Sequence, residues 1–178
     1  MAKITPFEAK DTGYSDLTGK FPYPSSRGNE YVLVIYDYDS NAIIAKPIKS
    51  KRAADIRDAF IDVVSIFAKR GAKPSIYLLD NEISGKFKKA LDKYKLNYQL
   101  VPPHQHRQNA AERAIQTWKN HFIAGISSLN PKFPIQEWDR LIDQANITLN
   151  LLRNSRINPS LSSYAFLFGV FYWCIRLQ

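Results

Sequence analysis

The chain has 178 residues, of which 45% are hydrophobic and 13% aromatic, and 25 Lys and Arg stand against 16 Asp and Glu for a net charge of +9. This length and composition exclude a disordered polyelectrolyte and fit one domain able to bury a substantial core. The positive balance favours polyanionic partners, nucleic acid among them, without specifying a fold.

Cys174 is the sole cysteine, so no disulfide can form within the chain, as expected of an intracellular, reducing compartment. Residues 1–10 hold no apolar core of signal-peptide length. The most apolar segment, residues 164–175, is too short to span a bilayer as a helix. A soluble protein without a membrane partner is the expectation.

Residues 1–13 read as a polar lead-in, and residues 14–21 as a short strand. Pro22, Pro24, Ser25, Ser26, Arg27, Gly28 and Asn29 form a dense turn signal. The unbroken run Tyr31-Val32-Leu33-Val34-Ile35-Tyr36 predicts a strand buried on both faces. Residues 37–41 predict a turn and residues 42–48 a second strand, together an antiparallel hairpin. Ile56, Phe60, Val63, Val64 and Phe67 then recur at helical spacing over residues 53–70, stopped by Gly71 and Pro74. A short strand at residues 75–79 ends at Asp80. Phe87, Leu91 and Tyr94 mark a second helix, and Tyr98 and Leu100 another strand. Pro102 and Pro103 precede a long helix at about residues 109–128, and a last helix covers about residues 135–152. The sum is a mixed α/β layout, antiparallel at its start and with parallel crossovers later.

The chemistry lies in carboxylates. Asp80 closes an apolar strand, a position common at active sites of α/β folds, although a solvated Asp in a turn with Asn81 reads equally well. Glu112 opens a basic helix 32 residues later. An acidic residue there also suits the helix dipole. Yet Glu112, Gln116 and Lys119 share one stripe while Ile115, Trp118 and Phe122 form an apolar one, so one face can pack while its neighbour meets a substrate. Asp16, in Ser15-Asp16-Leu17-Thr18-Gly19, is a third candidate, with Asp11 close by. Asp37 and Asp39 read as turn residues, and Glu82 and Asp92 as surface charges. Composition alone does not choose among these. Convergent carboxylates from separate elements can hold two divalent ions roughly 3.5–4 Å apart, a device for phosphodiester chemistry.

The segments Ser15 to Pro22, Ser26 to Asn29, Asp80-Asn81-Glu82, Pro102 to Ile115 and Asn146 to Pro159 together resemble the catalytic core of a retrotransposon integrase, most closely the cores of copia-like long-terminal-repeat elements. The resemblance covers about residues 14–169. It implies a ribonuclease H-like fold with a five-stranded mixed sheet and helices on both sides. It implies that Asp16, Asp80 and Glu112 are a DDE triad that binds two Mg²⁺ or Mn²⁺. It further implies attack of a DNA 3′-hydroxyl on target DNA, with possible earlier trimming of the element's ends. Gln116 and Lys119, four and seven residues after the glutamate, would approach the element's DNA end. The partners implied are element-end DNA, target DNA and further copies of the chain, and action on genomic DNA implies the nucleus. Residues 170–178 do not resemble a continuation of such a core.

Two histidines without a paired cysteine set are weak evidence for zinc, so His104 and His106 are not read as ligands. His106, Arg107, Gln108 and Asn109 are read as a DNA-facing loop. Lys49, Lys51 and Arg52 form one basic run, and Lys86, Lys88, Lys89, Lys93 and Lys95 another, the second read as a solvated face. Trp118, Trp138 and Trp173 are expected in a core or interface, His121 on the surface or a helix face. The rivals to the transferase reading are a catalytically inactive integrase-derived DNA-binding or assembly module and a ribonuclease H-like nuclease.

Overall fold

The computed structural model describes residues 10–70, 74–80, 88–89, 91–92, 94–101 and 109–169. Five strands form one sheet: β1 (Thr12–Leu17), β2 (Tyr31–Asp37), β3 (Ala42–Ile48), β4 (Ile76–Asp80) and β5 (Tyr98–Val101). Their spatial order is β3-β2-β1-β4-β5. The β1–β2 and β2–β3 pairs are antiparallel, and the β1–β4 and β4–β5 pairs parallel. Helices α1 (Ala53–Lys69), α2 (Asn109–Ser127), α3 (Ile142–Leu151) and α4 (Ser163–Phe168) complete the layers, with a 3₁₀ helix at Ile135–Leu141.

The apolar run of β2 needs cover on both faces and has it. Leu33 and Ile35 join Phe60, Val63 and Phe67 of α1 in one cluster. Val32, Val34 and Tyr36 point the other way, into a cluster with Trp118, Phe122, Trp138 and Ile142. Side chains alternate along a strand, so one continuous hydrophobic run feeds both layers.

The edge strand β3 is closed by side chains. On α3, Asn146 accepts from the Ala45 N–H at 3.0 Å and donates to the Ala45 carbonyl at 2.9 Å. One turn on, Asn150 does the same for Ile43, at 2.9 and 2.6 Å. Two amides thus stand where a sixth strand would pair, and Pro47 removes one further N–H from that strand.

The structure departs from the sequence reading in several places. The first strand runs Thr12–Leu17 rather than 14–21. The last predicted helix is divided into the 3₁₀ helix and α3. The reason lies outside the helix: the Gln136 carbonyl accepts from the Ser26 N–H at 2.8 Å, and the Trp138 indole donates to the Tyr23 carbonyl at 3.0 Å. Loop partners therefore engage groups that a continuous α-helix would have to place otherwise. Helix α4, which periodicity did not reveal, starts at Ser162, whose hydroxyl accepts from the Ala165 N–H at 3.0 Å. Of the predicted stripe Phe87, Leu91 and Tyr94, Phe87 lies outside the described residues, Leu91 is buried, and Tyr94 is exposed in a turn. Asp37 is the last residue of β2 rather than a turn residue and is buried, accepting from the Ser40 N–H at 2.8 Å.

Candidate active site

The parallel pairing of β1 with β4 sets Thr12 beside Ile76, Gly13 beside Tyr77 and Tyr14 beside Leu78. The pairing ends there, and Asp16 and Asp80 each lie two residues beyond the last pair, on β1 and β4 respectively. Two of the predicted carboxylate positions therefore lie near the C-terminal ends of adjacent central strands, a common place for active-site residues in α/β folds. Asp16 is exposed, and its Oδ1 accepts from the Leu17 N–H at 2.7 Å. The side chain of Asp80 lies outside the described residues.

Glu112 is exposed in the first turn of α2. Ala114, Ile115, Trp118 and Phe122 seat that helix on the sheet face carrying Tyr14 and Leu78. The charged and apolar stripes divide as the sequence predicts. Ile115, Trp118 and Phe122 are buried, Gln116 is exposed, and Lys119 is half-buried. Gln116 donates to Asn120 at 2.8 Å. Among the described residues, no group of three or more His, Cys, Asp or Glu side chains is placed to hold a metal ion. The donor chemistry nonetheless fits a hard divalent cation, because Asp16 and Glu112 offer carboxylate oxygen and both face solvent.

His104, His106, Arg107 and Gln108 lie outside the described residues, as does Glu82. Asn109 is the first residue of α2. His121 is half-buried and its Nε2 lies 2.8 Å from the Thr148 hydroxyl, tying α2 to α3. Trp118 and Trp138 are core residues, as expected, and Trp173 lies outside the described residues. Asp11 separates cleanly from Asp16. It precedes β1, its N–H donates to Asp39 Oδ2 at 3.0 Å, and its carboxylate accepts from the Ser75 hydroxyl. It therefore belongs to the opposite end of the sheet. Near it, burial pushes the Asp37 carboxyl up from its ordinary range, against the lowering effect of the Ser40 hydrogen bonds.

The loop that follows Asp16 is pinned by long-range bonds and contacts that the sequence reading did not foresee. Thr18 extends the ladder, its N–H donating to the Val32 carbonyl at 2.9 Å and its hydroxyl accepting from the Val32 N–H at 3.0 Å. Phe21 stacks on Trp138, ring centres 4.1 Å apart and planes 4° from parallel. Buried Asp139 accepts at Oδ2 from Ser25 Oγ (2.8 Å), Arg27 Nε (2.9 Å) and Asn29 Nδ2 (2.6 Å). Burial raises the Asp139 carboxyl, but the bonds from Arg27, Asn29 and Ser25 together outweigh it and hold the group below its ordinary range. Gly28, at φ +79°, turns the loop back toward β2. The dense turn signal was legible; its anchor more than a hundred residues away was not.

The three antiparallel strands followed by two parallel ones, with helices on both faces, make this a ribonuclease H-like fold of the integrase-core type. Among solved structures, the HTLV-2 integrase catalytic core domain in complex with magnesium matches at TM-score 0.66 and 21% identity, over 88% of this chain and 95% of that one. The BIV integrase catalytic core matches at TM-score 0.63 and 13% identity, over 88% and 93%. A chain of the simian T-cell lymphotropic virus intasome, solved with a PP2A regulatory subunit, matches at TM-score 0.68 and 17% identity, over 90% of this chain and 55% of that one. No protein-family model and no curated protein sequence matches the chain. At these identities the likeness establishes the fold.

Proposed function

We propose that this chain is the catalytic core of an integrase, a polynucleotidyl transferase that joins DNA 3′ ends to target DNA. The observation that supports the reading is the parallel pairing of β1 with β4, from Thr12–Ile76 to Tyr14–Leu78, with Asp16 and Asp80 two residues further along their strands. Glu112, on a helix seated on the same sheet face, supplies the third carboxylate. The motif resemblance makes the parent a copia-like retrotransposon, acting in the nucleus on genomic DNA.

In the reaction, the 3′-hydroxyl oxygen attacks a target phosphorus. A new P–O bond forms as the P–O3′ bond of the target breaks, and the proton of the attacking hydroxyl ends on the departing 3′-oxygen or on solvent. Asp16, Asp80 and Glu112 would hold two Mg²⁺ or Mn²⁺ ions, which supply charge neutralisation at the phosphodiester and acidify the attacking hydroxyl. Donors carried on strand ends and a helix would need little reorganisation. Lys119 offers a cation to a phosphate, and Gln116 a neutral donor beside it. His106, Arg107, Gln108 and Asn109 keep the DNA-facing role that the sequence reading gives them. The solved relatives named above include a trimeric magnesium complex and an intasome. Oligomeric assembly on DNA is accordingly part of the proposal.

The test is strand transfer of labelled element-end DNA into a plasmid in Mn²⁺, comparing the wild-type chain with Glu112→Gln. Joining by the wild type alone supports the reading. Equal joining by both removes Glu112 from the mechanism. DNA binding without joining in either identifies an inactive DNA-binding module.

A further inference from the structure

A cavity of about 450 Å³ opens directly beyond β1. Thr18 and Gly19, two and three residues after Asp16, form one wall, and Trp118, Lys119 and Phe122 of α2 another. Its floor is aromatic and buried. Trp118 stacks on Phe122 at 4.8 Å, and Phe21 meets the edge of the same Phe122 at 6.1 Å. Its rim is apolar yet open to solvent, with Tyr23 57%, Ile123 59% and Ile135 37% exposed. Lys20 and Lys119 are the lining cations, and Lys20 is held by Glu30 at 2.8 Å.

The apolar surface that Tyr23, Ile123 and Ile135 leave open to water, with Lys119 on the same wall, suits an occupant with an apolar face and a negative group. Lys119 lies seven residues beyond Glu112, about 10 Å along a helix, a separation of one to two nucleotides. We propose that this cavity receives the base of an unpaired nucleotide next to the reacting DNA 3′ end. The base packs against Tyr23, Ile123 and Ile135 above the buried rings, and its phosphate meets Lys119. The inference rests on the transferase reading for the identity of the DNA, while the contact itself needs neither metal nor turnover. Charge complementarity favours DNA over a second copy of this +9 chain.

The test is direct binding in metal-free buffer. The probe is a duplex with a two-nucleotide 3′ overhang, carrying 2-aminopurine in the overhang or an abasic site in its place. The wild type is expected to change the 2-aminopurine emission and to bind the abasic probe roughly 5–150-fold more weakly, the range of one stacked base. Tyr23→Ala and Ile123→Glu, both at exposed positions, are expected to bind the two probes alike, with unchanged thermal melting. Equal affinity of the wild type for both probes overturns the proposal, as does retention of the preference in both variants. A fall in sedimenting mass for Ile123→Glu with the base preference intact assigns the cavity to a second copy instead. If strand transfer succeeds while the base preference is absent, the cavity proposal fails and the transferase reading stands. A base preference without joining leaves the cavity assigned and removes the transferase reading.

Discussion

Asn150 of α3 holds Ile43 of β3 by both backbone groups, accepting from its N–H at 2.9 Å and donating to its carbonyl at 2.6 Å. Both residues are buried, so nothing from solvent can replace a lost partner. Asn150→Leu is expected to leave that N–H and carbonyl unsatisfied and to destabilise the fold by about 2–4 kcal/mol. Urea denaturation measures the loss, and faster hydrogen exchange at Ile43 than at β2 amides locates it. A variant within 0.5 kcal/mol of the wild type would show that the edge is held by packing alone.

Asp139 carries the loop that follows Asp16. Asp139→Asn is expected to cost about 3 kcal/mol, because Arg27 loses its carboxylate and buried Ser25 and Asn29 lose a charged acceptor. The same residue gives the stability a pH dependence. Its carboxyl is held below its unfolded value, so its contribution is complete above about pH 5 and falls as pH drops through the folded value. An acid titration followed by fluorescence should show less of this acid loss in Asp139→Asn than in the wild type.

Gly13 has no room for a side chain. A Cβ there would stand 2.6 Å from the buried ring of Tyr77, its partner across the β1–β4 pair. Gly13→Ala is expected to destabilise by about 1–3 kcal/mol and to displace the two strands that carry Asp16 and Asp80. Strand-transfer activity should fall further than stability accounts for, measured under conditions where the variant remains folded by circular dichroism.

Glu112→Gln, by contrast, changes an exposed helix position and should leave stability within about 0.5 kcal/mol. If Glu112 is a ligand, Mg²⁺ or Mn²⁺ should raise the melting temperature of the wild type, and the variant should lose most of that rise. A metal-dependent rise of equal size in both would place the ions elsewhere.

The sequence by itself determined most of the elements, though not α4 or the division of the last predicted helix. Local periodicity and turn chemistry suffice to mark β2 as doubly buried, α1 as amphipathic and the two stripes of α2, and the run into Asp80 and the Glu112 helix start pointed to the candidate carboxylates. The motif resemblance completed the set with Asp16 and anticipated the five-stranded mixed sheet. The tertiary structure decided what depends on residues far apart in the chain. It set β1 beside β4 in parallel, the strands that carry Asp16 and Asp80, and it separated Asp16 from Asp11 by sending them to opposite ends of the sheet. It joined Ser25, Arg27 and Asn29 to Asp139, and set Asn146 and Asn150 against β3. Those residues are polar, and Ser25, Arg27 and Asn29 read in sequence only as a turn. Their roles arise only when folding removes water from around their hydrogen-bonding groups and leaves a single partner within reach.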